Sequence, residues 1–224
     1  MELNQYIDHT LLKSSATPED IIALCQEAKT YNFYSVCVNG CYVPLAKDNL
    51  NDSKVKIVAV IGFPLGASTP ESKIREAEIA VEYGADEIDM VINVGFLKGE
   101  WYEAVTTEIT EVKKAIGSCI LKVILETCYL SEEEIRKACK IAIKANADFV
   151  KTSTGFGTGG ATEKAVEIMR EEVGNIIKIK ASGGIRDLET ANKFIEMGVS
   201  RIGTSSGVAI VSDLKNRDTN EHTY

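Results

Sequence analysis

The chain has 224 residues, 45% of them hydrophobic, which is enough to bury the core of one large α/β domain or two small ones. Its formal net charge of −8 argues against non-specific nucleic-acid binding, which requires a basic surface. No apolar run approaches the roughly 20 residues of a membrane span, and the first residues lack a basic and apolar signal region. We therefore expect a cytoplasmic protein that binds neither nucleic acid nor membranes.

The cysteines and histidines do not form a recognisable metal site. The six cysteines show no CxxC pair, and their spacing from His9 and His222 does not match a zinc site. This pattern is typical of reduced, mostly buried cysteines in a cytosolic protein. We expect no metal and no cofactor.

Strand-like segments alternate with helical segments along the chain, and eight such units would average about 28 residues each. Apolar, β-branched runs predict the strands at 6–10, 35–38, 56–61, 87–92, 121–125, 149–151, 176–181 and 200–203. Gly84, Asn146 and Gly198 stand at the helix-to-strand links, where a helix commonly ends in a left-handed residue.

Polar residues mark the predicted helix starts. Thr17 and Thr69 each precede a proline, the pattern of an N-cap followed by the first helical residue. Ser131 begins a capping box, and Asp187 and Ser205 are expected to begin the last two helices. One long helix is predicted to bury a face made of Trp101, Val105, Ile109, Val112 and Ile116.

Strict alternation of strands and helices gives parallel strands joined by crossover helices. Eight units in about 220 residues predict a single-domain (β/α)8 TIM barrel over residues 1–211. An open doubly wound sheet is the alternative, but it does not require so even a repeat, and no GxGxxG follows the first strand. Residues 212–224 are polar and are expected to form a mobile C-terminal tail.

Four strands carry a charged residue between apolar neighbours. Because strand residues alternate between the barrel interior and the helix layer, the apolar neighbours face the helices and the charges face inward. These inward residues are Asp89, Lys122, Lys151 and Lys180. A salt-bridge network that only packs the barrel is one interpretation. A catalytic site explains the desolvation cost better, because a buried network often adds little stability.

Lys151 ends a buried strand and is followed by three hydroxyl residues and Gly155. Two cations about 6 Å apart at an effective dielectric near 20 repel by roughly 3 kcal/mol. Lys151 or Lys180 would therefore lose its proton more readily than a surface lysine, and a free amine forms a Schiff base with a carbonyl. Asp89 supplies a carboxylate that can move protons.

The loops after strands seven and eight are rich in glycine and serine. Phosphate is often held by these two loops in (β/α)8 barrels. We place Gly183, Gly184, Gly203, Ser205 and Ser206 at a phosphate site, with Gly155 on a third side. Ordinary tight turns are the alternative interpretation of these loops.

Long motifs resemble those of the deoxyribose-phosphate aldolase family, and the resemblance covers nearly the whole chain. The matching stretches are at 7–10, 35–39, 60–66, 87–93, 149–155, 180–186 and 201–203. The resemblance implies reversible cleavage of 2-deoxy-D-ribose 5-phosphate to acetaldehyde and glyceraldehyde 3-phosphate. It also implies that Lys151 forms the Schiff base, that Lys180 perturbs it and that Asp89 handles protons.

Further residues complete the candidate site. We include Cys37 and Thr154 among the substrate-binding residues, and Asp8, Lys122 and Tyr224 as candidate proton-relay residues. An extended tail is long enough for Tyr224 to reach the mouth of the barrel, although a solvated tail is equally compatible with the sequence. The expected partners are small phosphorylated sugar and aldehyde substrates, and further copies of the chain in a homodimer or higher homo-oligomer.

Three alternative functions remain open at this stage. The first is another Schiff-base enzyme of the same barrel, such as a transaldolase-like or sugar-phosphate aldolase. The second is a phosphosugar isomerase that uses lysine and aspartate as acid and base without a covalent step. The third is a catalytically silent barrel that binds a phosphorylated ligand.

Overall fold

The computed structural model describes residues 2–213, in which eight parallel strands close into one barrel in chain order. Strand β8 pairs with β1 to complete the closure. The strands are β1 (Ile7–Leu11), β2 (Ser35–Asn39), β3 (Lys56–Ile61), β4 (Glu87–Val91), β5 (Ile120–Ile124), β6 (Phe149–Lys151), β7 (Lys178–Ser182) and β8 (Arg201–Thr204). The predicted single-domain (β/α)8 barrel is thereby confirmed.

Helices surround the barrel. They are α1 (Pro18–Thr30), α2 (Val43–Leu50), α3 (Pro70–Glu82), α4 (Val94–Lys98), α5 (Tyr102–Ala115), α6 (Glu132–Lys144), α7 (Glu163–Val173), α8 (Leu188–Glu196) and α9 (207–213). The sequence did not predict α4, because a helix of 5 residues is too short to show an apolar period. Within residues 2–213, no helix is both long and apolar enough to cross a membrane.

The predicted helix caps are present in the structure. The side chains of Thr17, Thr69, Ser131 and Asp187 each accept a hydrogen bond from a backbone N–H of the first turn. Three of the helix-to-strand links turn through a left-handed residue, with φ of 103° at Gly84, 59° at Asn146 and 89° at Gly198.

Two helix predictions were wrong. Trp101 precedes α5 and is 62% exposed, so the buried stripe begins at Val105. Helix α9 begins at residue 207, and Ile210 N–H donates to the carbonyl of Ser206 as its first intrahelical bond. Ser205 lies before the helix because the Thr204 hydroxyl accepts from Ser206 N–H at 2.9 Å and holds a turn there.

The predicted tail falls almost entirely beyond the described residues. Ser212 and Asp213 belong to α9. Tyr224 and the rest of the tail lie outside the described residues, so the expectation of a mobile tail stays a prediction.

A buried ion pair joins two helices of the outer layer. Lys73 of α3 lies 2.8 Å from Glu108 of α5, and it also donates to the carbonyl of Val91 at 2.8 Å. Both side chains are at most 1% exposed. Burial lowers the pKa of Lys73 and raises the pKa of Glu108, while the attraction between the two charges opposes both shifts.

Replacement of Lys73 by methionine should therefore destabilise the protein strongly. The Lys73→Met variant leaves the Glu108 carboxylate buried without its cation, which should lower the free energy of unfolding by about 3–5 kcal/mol in urea denaturation. The control is Lys114→Met, which removes an exposed pair with Glu111 and should cost less than about 1 kcal/mol. Equal losses in the two variants would contradict this account of the buried pair.

Candidate active site at the mouth of the barrel

Charged side chains from six of the eight strands meet inside the barrel. Apolar neighbours such as Ile88, Met90, Val123 and Ile179 fill the layer between strands and helices, which leaves the charged residues on the inner face. The charged residues that contact one another are Asp8, Glu87, Asp89, Lys122, Lys151, Lys180 and Arg201.

Asp89 lies at the centre of this charged network. Its Oδ1 is 2.8 Å from Lys122 Nζ, and its Oδ2 accepts from Lys151 Nζ at 2.8 Å and from Lys180 Nζ at 2.9 Å. Asp89 has no exposed surface. Burial alone would raise the pKa of Asp89, but the three lysines hold that pKa well below its usual range. Asp89 is therefore a carboxylate shared by three lysine side chains.

Lys180 is held between two carboxylates. Its Nζ lies 2.5 Å from Asp8 in addition to its contact with Asp89. Burial alone would lower the pKa of Lys180, but Asp8 and Asp89 more than offset that effect and hold the pKa above its usual range. The sequence left open whether Lys151 or Lys180 would lose its proton readily, and the contact with Asp8 argues against Lys180.

Lys122 is also held by two carboxylates. It contacts Glu87 and Asp89, and their attraction outweighs burial and raises the pKa of Lys122. Lys151, in contrast, contacts one carboxylate oxygen, which it shares with Lys180.

The network as described has four cations and three carboxylates, so full ionisation leaves one surplus positive charge. Release of one proton would relieve that surplus. Arg201 remains charged at any ordinary pH, and Lys122 and Lys180 each have two carboxylate partners. Lys151 is thus the network lysine with the least compensation from carboxylates.

Strand register explains why these particular residues meet. Lys180 is the register partner of Lys151 on one side and of Arg201 on the other. Asp89 is the register partner of Lys122. Register pairing therefore places inward positions of neighbouring strands side by side, which brings charges distant in sequence into contact, and the tilt of the strands carries the series from Arg201 near the floor up to Lys151 near the mouth.

A cavity of about 230 Å³ lies above the network, at the carboxyl ends of the strands. Lys151 is the network residue that reaches it. Seven of the predicted site residues line this cavity, namely Lys151, Thr154, Gly155, Gly183, Gly184, Gly203 and Ser205.

The other predicted site residues lie outside the cavity wall. Ser206 is at the start of α9, next to the lining residue Ser205. Asp8, Asp89, Lys122 and Lys180 lie within the charged network, and Cys37 on β2 is fully buried beside it. Burial raises the pKa of the Cys37 thiol, so Cys37 is neutral. Tyr224 lies outside the described residues.

The loop after β7 exposes its backbone to the cavity. Gly183 and Gly184 have φ of 86° and 83°, a conformation that other residues rarely adopt. A side chain at Gly183 would collide with Gly160, whereas Gly184 has open space before it. Such a pair of glycines can present backbone N–H groups to an anion.

Sequence reasoning missed several residues of the site. Glu87 and Arg201 complete the network, and the same inward alternation could have identified them, because Glu87 shares a face with Asp89. Thr10, Lys13 and Arg186 line the cavity and include two exposed cations. No motif indicated that the loop after β1 would reach the loops after β7 and β8.

Glu126 is a further missed residue, and it holds the loop after β6. It is 3% exposed and has a left-handed backbone with φ of 55°. Its carboxylate accepts from the hydroxyl of Thr154 and from Thr154 N–H, the latter at 3.2 Å. The Thr154 hydroxyl in turn accepts from Phe156 N–H at 3.0 Å. Glu126 therefore fixes the loop that carries Thr154 and Gly155.

The described residues contain no group of three or more histidine, cysteine or acidic side chains arranged to hold a metal ion. The site combines three features. Lys151 lines the cavity, and its amino group contacts the buried carboxylate of Asp89. Glycine-rich loops and two cations, Lys13 and Arg186, line the same cavity.

A family model and a curated relative both match this chain over nearly its whole length. A family model described as DeoC/LacD family aldolase matches residues 3–213. A deoxyribose-phosphate aldolase of Brevibacillus brevis is 57% identical over 215 residues, covering 96% of this chain and 97% of that protein.

Solved structures of aldolases also match this chain over nearly its whole length. An aldolase designated QR15 has a TM-score of 0.94 and 44% identity, and the match covers 98% of each chain. A deoxyribose phosphate aldolase from Aeropyrum pernix, described as having a unique tetrameric structure, has a TM-score of 0.88 and 33% identity over 96% of this chain and 92% of that one.

These matches extend over nearly the whole chain and include the strands that carry the charged network. The resemblance predicted from the sequence motifs is confirmed, as is the prediction that the protein is an enzyme. The chain belongs to the DeoC/LacD family of aldolases, and the relatives that it matches with more than half of their residues identical are deoxyribose-phosphate aldolases.

Proposed function

We propose that the protein reversibly cleaves 2-deoxy-D-ribose 5-phosphate to acetaldehyde and D-glyceraldehyde 3-phosphate through a Schiff base on Lys151, in deoxyribose phosphate catabolism. The observation that carries this proposal is the placement of Lys151. Lys151 lines the cavity, and its one carboxylate partner is an Asp89 oxygen that Lys180 also contacts. Lys122 and Lys180, in contrast, each have two carboxylate partners.

In the proposed reaction, the Lys151 amine attacks the aldehyde carbon of the open-chain sugar, and loss of water gives an imine. Removal of the proton from the hydroxyl at C3 then breaks the C2–C3 bond and releases glyceraldehyde 3-phosphate. The electron pair of that bond passes to the imine and leaves an enamine. Protonation of the enamine at C2 and addition of water release acetaldehyde and restore the amine.

The network residues support these proton movements. Asp89 contacts both Lys151 and Lys180, so it is placed to pass a proton directly or through a water molecule. Lys180 remains a cation, and its Nζ lies 2.9 Å from the Asp89 oxygen that Lys151 also contacts. Asp8 and Lys122 extend the relay deeper into the barrel.

We place the phosphate at the rim of the cavity. Gly183, Gly184, Gly203 and Ser205 line one side, and the exposed cations Lys13 and Arg186 line the same cavity. Cationic side chains and backbone N–H groups are the groups that bind phosphate in proteins.

The proposal also covers the oligomeric state of the protein and its cellular compartment. A homo-oligomer is consistent with the tetramer described for the Aeropyrum pernix relative. Within the described residues all six cysteines are free, which fits a reducing compartment such as the cytoplasm.

Lys151→Leu should abolish both turnover and covalent trapping. A leucine of similar volume has no amine, so borohydride reduction in the presence of substrate should add no mass to the variant. Peptide mapping of the wild-type adduct should place it on Lys151. The control is Lys140→Leu, which changes an exposed lysine on α6 and should leave trapping intact. An adduct on Lys180 or Lys122 would refute the assignment.

Asp89→Asn should lower turnover by about 10² or more, the scale of general acid–base catalysis. The amide keeps the shape of the side chain but cannot accept a proton at ordinary pH. Steady-state kinetics measures the effect, and circular dichroism checks that the barrel remains folded. Asp52→Asn, at an exposed carboxylate paired with Lys29, is the matched control. Near-normal turnover of Asp89→Asn would remove this residue from the relay.

Ser205→Asp should weaken binding of the phosphorylated substrate specifically. A carboxylate at this position repels the phosphate, so KM should rise at least about tenfold for deoxyribose 5-phosphate and much less for unphosphorylated deoxyribose. Ser118→Asp adds the same charge at an exposed position just before β5, away from the cavity, and serves as the control. Equal effects of Ser205→Asp on both substrates would contradict the phosphate assignment.

A further inference from the structure

The floor of the barrel carries two charged residues that the proposed reaction does not use. Glu87 and Arg201 are the first residues of β4 and β8, and they are 1% and 5% exposed. Neither lines the cavity above Lys151. Arg201 lies flat against Tyr34, with 3.4 Å between its guanidinium carbon and the ring centroid, which closes the floor.

Continuous ion pairs connect this floor to Lys151. One path runs from Glu87 through Lys122 to Asp89, which contacts Lys151. The other path starts at Arg201, which lies 2.7 Å from Asp8 and 3.4 Å from Glu87. Asp8 contacts Lys180, and Lys180 shares the same Asp89 oxygen with Lys151.

We propose that Glu87 and Arg201 are positioning residues that act electrostatically, from the floor of the barrel, to set the pH at which Lys151 becomes a free amine. This inference rests on the proposed function, because it concerns the residue that would form the Schiff base. Neither residue touches the substrate, so each acts only through its charge and its contacts within the network.

The charge count gives the direction of each effect. Arg201 supplies a positive charge that does not titrate, and with it the network has one surplus positive charge. Loss of Arg201 would remove the surplus, so Lys151 would keep its proton to higher pH. Loss of Glu87 would increase the surplus, so Lys151 would release its proton at lower pH.

The strand register gives the size of the effect. Arg201, Lys180 and Lys151 are consecutive register partners, so Arg201 and Lys151 are two strand spacings apart, about 10 Å. A unit charge at about 10 Å and an effective dielectric near 20 shifts a titration by roughly one pH unit. Glu87 lies lower relative to Lys151 in the strand register and should have a smaller effect of opposite sign.

Other groups around Lys151 must stay constant for this effect to be seen. The other titratable and charged side chains that contact the network, hold the adjoining loop or line the cavity with Lys151 are Asp8, Lys13, Cys37, Asp89, Lys122, Glu126, Lys180 and Arg186. Strand β3 contributes the apolar Val58 and Val60 to this side of the barrel. The test therefore leaves these groups in place and changes only Glu87, Arg201 and, as an uncharged control, Tyr34.

The experiment measures the rate of borohydride trapping with acetaldehyde against pH for the wild type, Arg201→Gln and Glu87→Gln. The pH at which the trapping rate reaches half its maximum, the midpoint, should rise by roughly one pH unit in Arg201→Gln and fall by roughly half a unit in Glu87→Gln. The double variant restores the charge balance, so its midpoint should lie between those of the single variants. Arg201→Lys keeps the charge and should keep the wild-type midpoint. Tyr34→Phe alters the floor without altering its charge and should also keep the wild-type midpoint.

Unchanged midpoints, or shifts in the same direction in both single variants, would overturn the inference. If Arg201→Gln does not fold, the downward shift in Glu87→Gln decides the question by itself. Failure of the proposed function is distinguishable, because the wild type would then form no adduct on Lys151. If an adduct formed on Lys151 but the pH midpoint were the same in the wild type, Arg201→Gln and Glu87→Gln, only this inference would be refuted.

Discussion

The shared carboxylate of Asp89 is the interaction on which the interior of this barrel depends. The side-chain nitrogens of three lysines lie within 2.9 Å of its two oxygens, in a place without solvent exposure. At an effective dielectric near 20, each pair of cations about 6 Å apart would repel by roughly 3 kcal/mol. Asp89, together with Asp8 and Glu87, makes it possible for these lysines to be buried at all, and the one-charge imbalance that remains supports the proposed amine chemistry.

The same alternation that builds the barrel separates its structural layer from its charged layer. Outward positions such as Ile88 and Ile179 pack against the helices, while the adjacent inward positions Asp89 and Lys180 form the network. The network is closed at the floor by Arg201 against Tyr34 and open at the mouth through Lys151. The proposed chemistry thus lies at one end of the barrel, where the loops can vary without disturbing the core.

Sequence reasoning could predict what depends on local pattern. Period-two alternation indicated that Asp89, Lys122, Lys151 and Lys180 face inward, and cap residues such as Thr17 located helix starts. It could not predict partners set by strand register. Asp8 was therefore not seen as the counterion of Lys180, and the sequence left open whether Lys151 or Lys180 would release its proton. The role of Glu126 was also hidden, because it depends on a left-handed residue meeting a loop 28 positions away.

The central claim is that charge balance leaves Lys151, and not Lys122 or Lys180, as the amine of the network. NMR of protein labelled at the lysine Cε carbons, titrated from about pH 6 to about pH 10, measures this directly. The account predicts that one of the three network lysines releases its proton before the surface lysines do, that its signal is absent from Lys151→Arg, and that the signals of Lys122 and Lys180 do not move. Lys73, which is buried outside the network with a lowered pKa, is identified separately by the loss of its signal in Lys73→Met. If all three network lysines stayed charged across this range, or if Lys180 titrated first, the account would be contradicted.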